Sequence, residues 1–445
     1  MKKTFGLRDK LLVFGSVFLI FYAIFIIFHL IVRHMGASYP EGEFLFFPVD
    51  RFKDFTNINQ AISEMDPYRT QMSNYPPFIL LIASIFSSFG DYSGYNVNTL
   101  RLAINDDTIW LTFVIFVVMY AAAFMTISIA YFRRRSGLKK ASDNWLMGIL
   151  VGMILLFSAP SIFAVDRGNY ILFAIIFFML WAILEYEKED SCAGAVFAGL
   201  CAGVKIYPIY VCMMYFFERR WKKLAVSAGT FVASILIPVL FFKGNYFENL
   251  REFYKGAMGF GDGNSFYFLY FNVGFTGMAG YMFRMLGLHP LTDIIHCAWL
   301  CFGIASTLLA GFLIHDEKAA WKKILVVSAL MVYLTPNAYL YCSAFMLGPI
   351  LVMLVAHDSF TKRDIPYLVM SALLLVPKAY YYLPDMTQVG IPLEYNTLNC
   401  AVLLDGLLYF AIIVYYLTEK IAVDVATHKK TRTGNEVKTV GEQGS

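Results

Sequence analysis

The chain is 445 residues long, enough for two or three soluble domains, yet 59% of it is hydrophobic, 17% aromatic and only 15% charged, with a mean hydropathy of +0.60. Those values exclude a water-soluble enzyme and describe an integral membrane protein, whose apolar runs recur from Leu11 to Tyr416. The net charge of +4 is too small to imply nucleic acid, so the distribution of charge carries more information than its sum.

The first apolar run, Leu11 to Val32, follows Lys2, Lys3, Arg8 and Lys10 and lacks the small-residue cleavage site of a signal peptide. It reads as a membrane span with the N-terminus in the cytoplasm. Residues 36–108 form a first outer loop, longer than a connector needs and therefore functional in character. It holds Asp50-Arg51-Phe52-Lys53-Asp54-Phe55, then Asp66-Pro67-Tyr68, then Asn74-Tyr75-Pro76-Pro77-Phe78. The apolar stretch from Pro76 to Phe89 is too short to cross, and the span after it must run inward, so an interfacial helix on the outer face is predicted there. The loop carboxylates are the natural base candidates, although the plainer reading of Asp54 and Asp66 is a solvated charge and a helix cap.

Further apolar runs cover Ile109 to Phe132, Leu146 to Ala164, Tyr170 to Tyr186, Ala193 to Phe217, Leu224 to Phe242, Leu291 to Ile314, Ile324 to Val355, Tyr367 to Leu383 and Tyr395 to Leu417. The short basic connections, Arg133 to Arg135 with Lys139 and Lys140, Arg219 to Lys223, Lys318 to Lys323, and Lys362-Arg363, belong inside by the positive-inside rule. Ala193 to Phe217 then starts and ends inside, and its kink signal at Tyr207-Pro208 predicts two short helices that dip in and out. Ile324 to Val355 likewise becomes a pair of short spans hinged outside at Thr335-Pro336-Asn337. The resulting fold is all-α and polytopic, with about 12 membrane segments, no strand pattern and both termini in the cytoplasm. Residues 1–418 read as one membrane domain with a second large outer loop at 244–290, followed by a polar tail, 419–445, expected to be disordered.

Charges in an apolar sequence are costly, so each one needs a reason. Val165-Asp166-Arg167-Gly168-Asn169 forms a tight outward turn between two apolar helices; Asp166 and Arg167 there either pair, face a polar cavity or anchor the interface. Lys205, in Ala202-Gly203-Val204-Lys205-Ile206-Tyr207-Pro208, falls near the hairpin tip, where an ammonium either faces an anion or snorkels to headgroups. Asp405 lies mid-span in the last helix and reads as a buried polar contact more readily than as a proton relay. The seven cysteines sit in or beside apolar segments without a CxxC pair and read as core residues; the histidines show no metal-ligand spacing, and no phosphate-binding glycine loop is present.

Taken in order, the outward Asp-Phe, the Asp-Pro-Tyr, the Tyr-Pro-Pro that opens an interfacial helix, the Asp-Arg-Gly-Asn turn and the Ala-Gly-x-x-Lys-x-Tyr-Pro hairpin resemble the GT-C integral membrane glycosyltransferases. They look most like glycosyltransferase family 87, which includes polyprenyl-phosphate-mannose-dependent alpha-mannosyltransferases. Gly263-Asn264-Ser265 and Thr335-Pro336-Asn337-Ala338-Tyr339 look like the family's later outward motifs, except that the histidine often found after the second is missing here. The resemblance implies transfer of a hexose, mannose by the family's commonest association, from a polyprenyl-phosphate donor to a glycan or glycolipid acceptor outside the cell membrane. Asp54 would be the base of an inverting reaction, Lys205 and Arg167 would stabilise the departing phosphate, and Tyr75 would shape the sugar site. Asp166, Asn169, Tyr207, Asn264 and Asn337 are expected around the substrates, with lipid tails in a groove between spans. No cofactor or metal is implied, a divalent cation staying open.

Two other classes compete. A transporter or flippase of lipid-linked sugars would use Lys205 and Asp405 and would carry an inverted repeat, which the sequence does not display. An O-antigen-polymerase-like protein would have a late arginine-bearing outer loop, and the 244–290 loop does contain Arg251 and Arg284.

Overall fold

The computed structural model describes residues 5–34, 52–68, 73–95, 99–135, 141–188, 190–264, 272–286, 292–356, 360–378, 380–382, 397–399 and 402–422. Asp50, Arg51, Ser265 and the tail beyond Ala422 lie outside the described residues. The described chain is helical except for one antiparallel ribbon, β1 (Tyr380–Tyr382) with β2 (Thr397–Asn399), in which Tyr381 pairs with Leu398.

In chain order the helices are α1 (Leu7–His34), α2 (Lys53–Ile62), α3 (Pro77–Ser87), α4 (Asp107–Arg135), α5 (Ala141–Leu156), α6 (Ala159–Asp166), α7 (Ile171–Glu187), α8 (Ala193–Val204) and α9 (Cys212–Phe217). They continue with α10 (Trp221–Val239), α11 (Tyr246–Asn264), α12 (Phe275–Met285), α13 (Thr292–His315), α14 (Ala320–Leu334), α15 (Leu347–Val355), α16 (Ile365–Leu375) and α17 (Val402–Ala422). Five of them, α1, α4, α10, α13 and α17, are long and apolar enough to cross a membrane; α5 and α6, bent by 58°, make a sixth if taken as one span. The expected total of about 12 is not reached by length and composition, because segments such as α8, Tyr207–Phe217 and Leu340–Val355 are too short to cross alone.

The interior is built on α7, α14 and α15. Every residue of α14 from Ile324 to Leu334 and of α15 is buried, as expected of helices that are apolar all round. Around them, α4 pairs with α5, α7 with α8, and α8 with α10. The α8–α10 pairing is close because Gly199 and Gly203 face it: a Cβ at Gly199 would sit 2.6 Å from the Ser227 carbonyl oxygen. Small residues four apart are what lets two membrane helices approach to backbone contact.

Expected boundaries shift at three places. The run Leu146 to Ala164 is broken after Leu156, because Pro160 supplies no N–H to continue the ladder and α6 must start anew. The hairpin turns at Lys205 and Ile206, before the Tyr207–Val211 3-10 turn that contains Pro208. The spans expected over Tyr367 to Leu383 and Tyr395 to Leu417 instead end at Leu375 and begin at Val402, with β1 and β2 in between.

One end of the bundle is a rim of ion pairs. Arg135 meets Glu187 at 2.6 Å, Lys223 and Arg220 meet Glu185, Lys323 meets Glu218, Lys322 meets Asp364 and Glu419, and Lys420 meets Glu317 at 2.6 Å. Lys10 of α1 reaches the same end, donating to the Met353 and Ala356 carbonyls that the end of α15 leaves without helical partners. The basic clusters at 133–135, 219–223 and 322–323 are thus tied into one surface. Because α4 has 29 residues, its first turn stands about 43 Å from this rim, at the opposite end.

Candidate functional site

At that opposite end α2 packs on the start of α4, with the Phe52 ring 4.4 Å from Phe113 and 5.8 Å from Trp110 between centroids. Phe52 takes a left-handed backbone, φ 59°, which costs about 1 kcal/mol and is held by this ring packing. Two backbone N–H groups at the start of α2 are satisfied by the turn after α6: Phe52 donates to the Asp166 carbonyl at 2.7 Å and Asp54 to the Arg167 carbonyl at 3.1 Å. Only glycine fits at 168. Its φ is +62°, and a Cβ there would lie 2.8 Å from that of Phe55. The Asp-Arg-Gly-Asn turn is therefore a dock for α2, and it fixes where Asp54 points.

The Asp54 carboxylate is held from two sides. Arg167 Nη2 donates to Oδ1 at 2.8 Å and Nε to Oδ2 at 3.4 Å, while Asn169 Nδ2 donates to Oδ2 at 2.6 Å. Asn169 is itself fixed, since its Oδ1 accepts from the Ile171 N–H at 2.8 Å at the start of α7. Charge-assisted bonds of this kind are short and directional. Beneath them, buried Asn59 ties α2 to its neighbours: it accepts from the Tyr170 hydroxyl at 2.6 Å, donates to Tyr92 at 3.2 Å, and its carbonyl accepts from Ser87 at 2.7 Å. Asp166 is buried and contributes through its carbonyl.

Tyr75 forms the next wall. The Tyr68 hydroxyl donates to the Tyr75 carbonyl at 2.9 Å, which gives the Asp-Pro-Tyr motif a physical task; Tyr68 in turn packs on Phe242 and Phe253. Lys205 points its ammonium over the Tyr75 ring, 4.8 Å from the centroid, and lies within electrostatic range of Asp54. Among the described residues that ammonium makes no hydrogen bond and no ion pair. A 12-residue helix, α8, lifts it about 18 Å from the Cys192 end of the hairpin.

The far wall comes from the hinge after α14. Asn272 pins this loop, donating to the Pro336 carbonyl at 2.5 Å and accepting from the Gly274 N–H at 2.9 Å, while Val273 donates to Ala338 at 2.8 Å. Asn337 lies in the pinned loop, half-buried, and its carbonyl accepts from the Tyr339 N–H. Tyr339 and Tyr341 follow, with ring centroids 5.5 Å apart, and both interact electrostatically with Asp54. The Tyr207 hydroxyl lies 3.2 Å from Cys342 Sγ, which is coupled to Lys205. Burial, followed by the Asp54 carboxylate, pushes the Tyr75 hydroxyl well up and that of Tyr339 to about 12, so both remain hydrogen-bond donors at neutral pH.

The structure thus gathers Asp54, Arg167, Asn169, Tyr75, Lys205 and Tyr207 around one place. Tyr341 and Cys342 join them without having been singled out, with Tyr339, which had been quoted only as the end of the Thr335 to Tyr339 motif; the alternation Tyr339-Leu340-Tyr341 beside a Pro-Asn hinge was the available signal. Asn264 is the last residue of α11, and its side chain lies outside what is described. Asp405 lies in the first turn of α17 and not at mid-span, because the helix begins only at Val402; it is ion-paired with Lys378 at 2.7 Å, in keeping with a buried polar contact. Among the described residues no group of three His, Cys, Asp or Glu side chains is placed to hold a metal ion.

No curated protein matches the chain. The family model for glycosyltransferase family 87 matches residues 74–336, more than half of the sequence. That span contains Tyr75, Arg167, Asn169, Lys205 and Tyr207, while Asp54 lies ahead of it and joins through Arg167 and Asn169. On this match, and with a helical fold that carries five membrane-length apolar helices, the chain belongs to glycosyltransferase family 87.

Proposed function

We propose that this glycosyltransferase moves a hexose, mannose in the first instance, from a polyprenyl-phosphate donor to a hydroxyl of a glycan or glycolipid on the non-cytoplasmic side of the cell membrane. The observation that carries the reading is Lys205: an ammonium without an ion pair of its own, close to a carboxylate and a tyrosine wall, is suited to an anionic ligand. The basic rim, the cytoplasmic side under the positive-inside rule, is at the other end of the bundle, and both termini belong with it. Nucleotide sugars are not supplied outside, so the anion is a lipid-linked phosphate.

In the reaction the acceptor oxygen attacks the anomeric carbon from the face opposite the phosphate, with inversion. Asp54 takes the hydroxyl proton, the bond from the anomeric carbon to the phosphate oxygen breaks, and polyprenyl phosphate leaves against Lys205 and Arg167. Tyr75, Tyr207 and Tyr339 flank the sugar, Asn169 aims the base, and Asp166 with Asn337 holds the turn and the loop that frame it. The prenyl chain leaves between spans.

The test is incubation of purified protein with polyprenyl-phosphate mannose and candidate acceptors, wild type beside Asp54→Asn. Transfer by the wild type and its loss in the variant are expected. Full transfer by the variant removes Asp54 as base, and no consumption by the wild type removes the donor.

A further inference from the structure

The proposed reaction makes two demands on Arg167, one at the base and one at the leaving phosphate. In the structure its Nη2 and Nε are on the Asp54 carboxylate, at 2.8 and 3.4 Å. The proposed reaction needs the guanidinium on the donor phosphate and a carboxylate oxygen open to the acceptor hydroxyl. The two carboxylate oxygens are not equivalent in this respect. Oδ2 is held by Asn169, a short side chain anchored through its own Oδ1 to the Ile171 N–H, whereas Oδ1 is held by the end of a long, partly exposed arginine.

We infer that Arg167 changes partner during the cycle: it covers Oδ1 of Asp54 in the donor-free enzyme and moves to the donor phosphate when that binds, uncovering Oδ1 as the proton-accepting atom while Asn169 keeps Oδ2 fixed. This rests on the lipid-phosphate reading above and adds a binding order to it, donor before acceptor. It assigns Asn169 as a positioning residue and Oδ1 as the reacting atom. The charges close at both ends of the step. Asp54, Arg167, Lys205 and a phosphodiester sum to zero before transfer. Afterwards the proton is on Oδ1, the electron pair of the broken bond is on the departing phosphate, and that dianion faces the two cations. Without the exchange the leaving phosphate meets Lys205 alone, and the base keeps a cation on the atom that must take the proton.

The exchange makes a prediction opposite in sign to that of a structural salt bridge. In the resting enzyme Asp54 competes with phosphate for the guanidinium, so removing its charge strengthens phosphate binding. The measurement is equilibrium binding of tritiated farnesyl phosphate to the purified full-length protein in detergent. Asp54→Asn is expected to bind about tenfold more tightly than wild type, the scale of one charge-assisted hydrogen bond, and Arg167→Ala more weakly. Asp54→Ala, which frees the guanidinium by deletion, is expected to shift in the same direction as Asp54→Asn, and Asn169→Ala to bind as wild type while its transfer shows a lower kcat at unchanged donor KM. Binding by either Asp54 variant that equals or falls below wild type overturns the exchange and leaves the donor assignment standing. If the wild-type protein does not bind the probe, both fall.

Discussion

Two ends of the same helix bundle carry buried cations and treat them in opposite ways. At the rim, Lys223 and Arg220 close on Glu185, which also accepts from Tyr215 at 3.0 Å, and Lys322 sits between Asp364 and Glu419. At the site, Lys205 has an aromatic face and a carboxylate at longer range. A buried pair with satisfied hydrogen bonds locks helices together, whereas a desolvated cation left without one is a standing cost that only a ligand offsets. The rim's pairs suit stability, and the site's unpaired ammonium suits the ligand proposed for it.

The sharpest way to break that contrast is to remove the site's own charges. Asp54→Asn is expected to lower kcat about 10²–10⁴-fold, read as transfer by protein that still elutes as a single species, since general-base catalysis has that magnitude. Lys205→Met is expected to lower it about 10²–10³-fold with no loss of thermal stability, because no ion pair is broken. At the rim the pattern reverses. Glu185→Gln leaves Lys223 buried without its carboxylate and Arg220 with Glu218 alone, and is expected to cost about 3–5 kcal/mol in unfolding while the folded fraction transfers normally. A Lys205 variant that unfolds, or a Glu185 variant that stays stable, would erase the distinction.

Smaller effects sharpen it. Gly168→Ala forces a side chain into the left-handed region and against Phe55, and is expected to cost about 1–2 kcal/mol and lower kcat by displacing α2. Tyr68→Phe removes only the hydroxyl that holds the Tyr75 carbonyl; a loss of about 1 kcal/mol and a few-fold rise in donor KM are expected from melting curves and steady-state kinetics.

The site's charged members were legible in the sequence because charge is rare in an apolar chain and each instance demands an explanation. Asp54, Arg167 and Lys205 stood out for that reason, and the basic clusters supplied the geometry that puts them at one end. Tyr75 and Tyr207 were marked by the motifs they sit in, whereas Tyr341 did not stand out and Tyr339 entered only as the end of a motif. With 17% aromatic residues, one more ring is no signal, and Tyr339 and Tyr341 reach the site only because Asn272 pins their loop from a distant segment. Asn59 was hidden for a similar reason: its partners Tyr92 and Tyr170 are brought to it by α3 and α7, not by neighbourhood in the chain. The break before α6 and the β1–β2 ribbon were missed because hydropathy measures composition, and neither the absent N–H of Pro160 nor the pairing of Tyr381 with Leu398 changes composition.

The contrast between the two ends is tested most directly by a structure of the full-length protein with a bound polyprenyl phosphate. The phosphate is expected at the site, an oxygen about 3 Å from Lys205 Nζ, with the prenyl chain leaving into the membrane between spans and Asp54 facing the other side of the sugar position. A phosphate seated on the rim of Arg220, Lys223 and Lys322, with Lys205 untouched, would contradict the account.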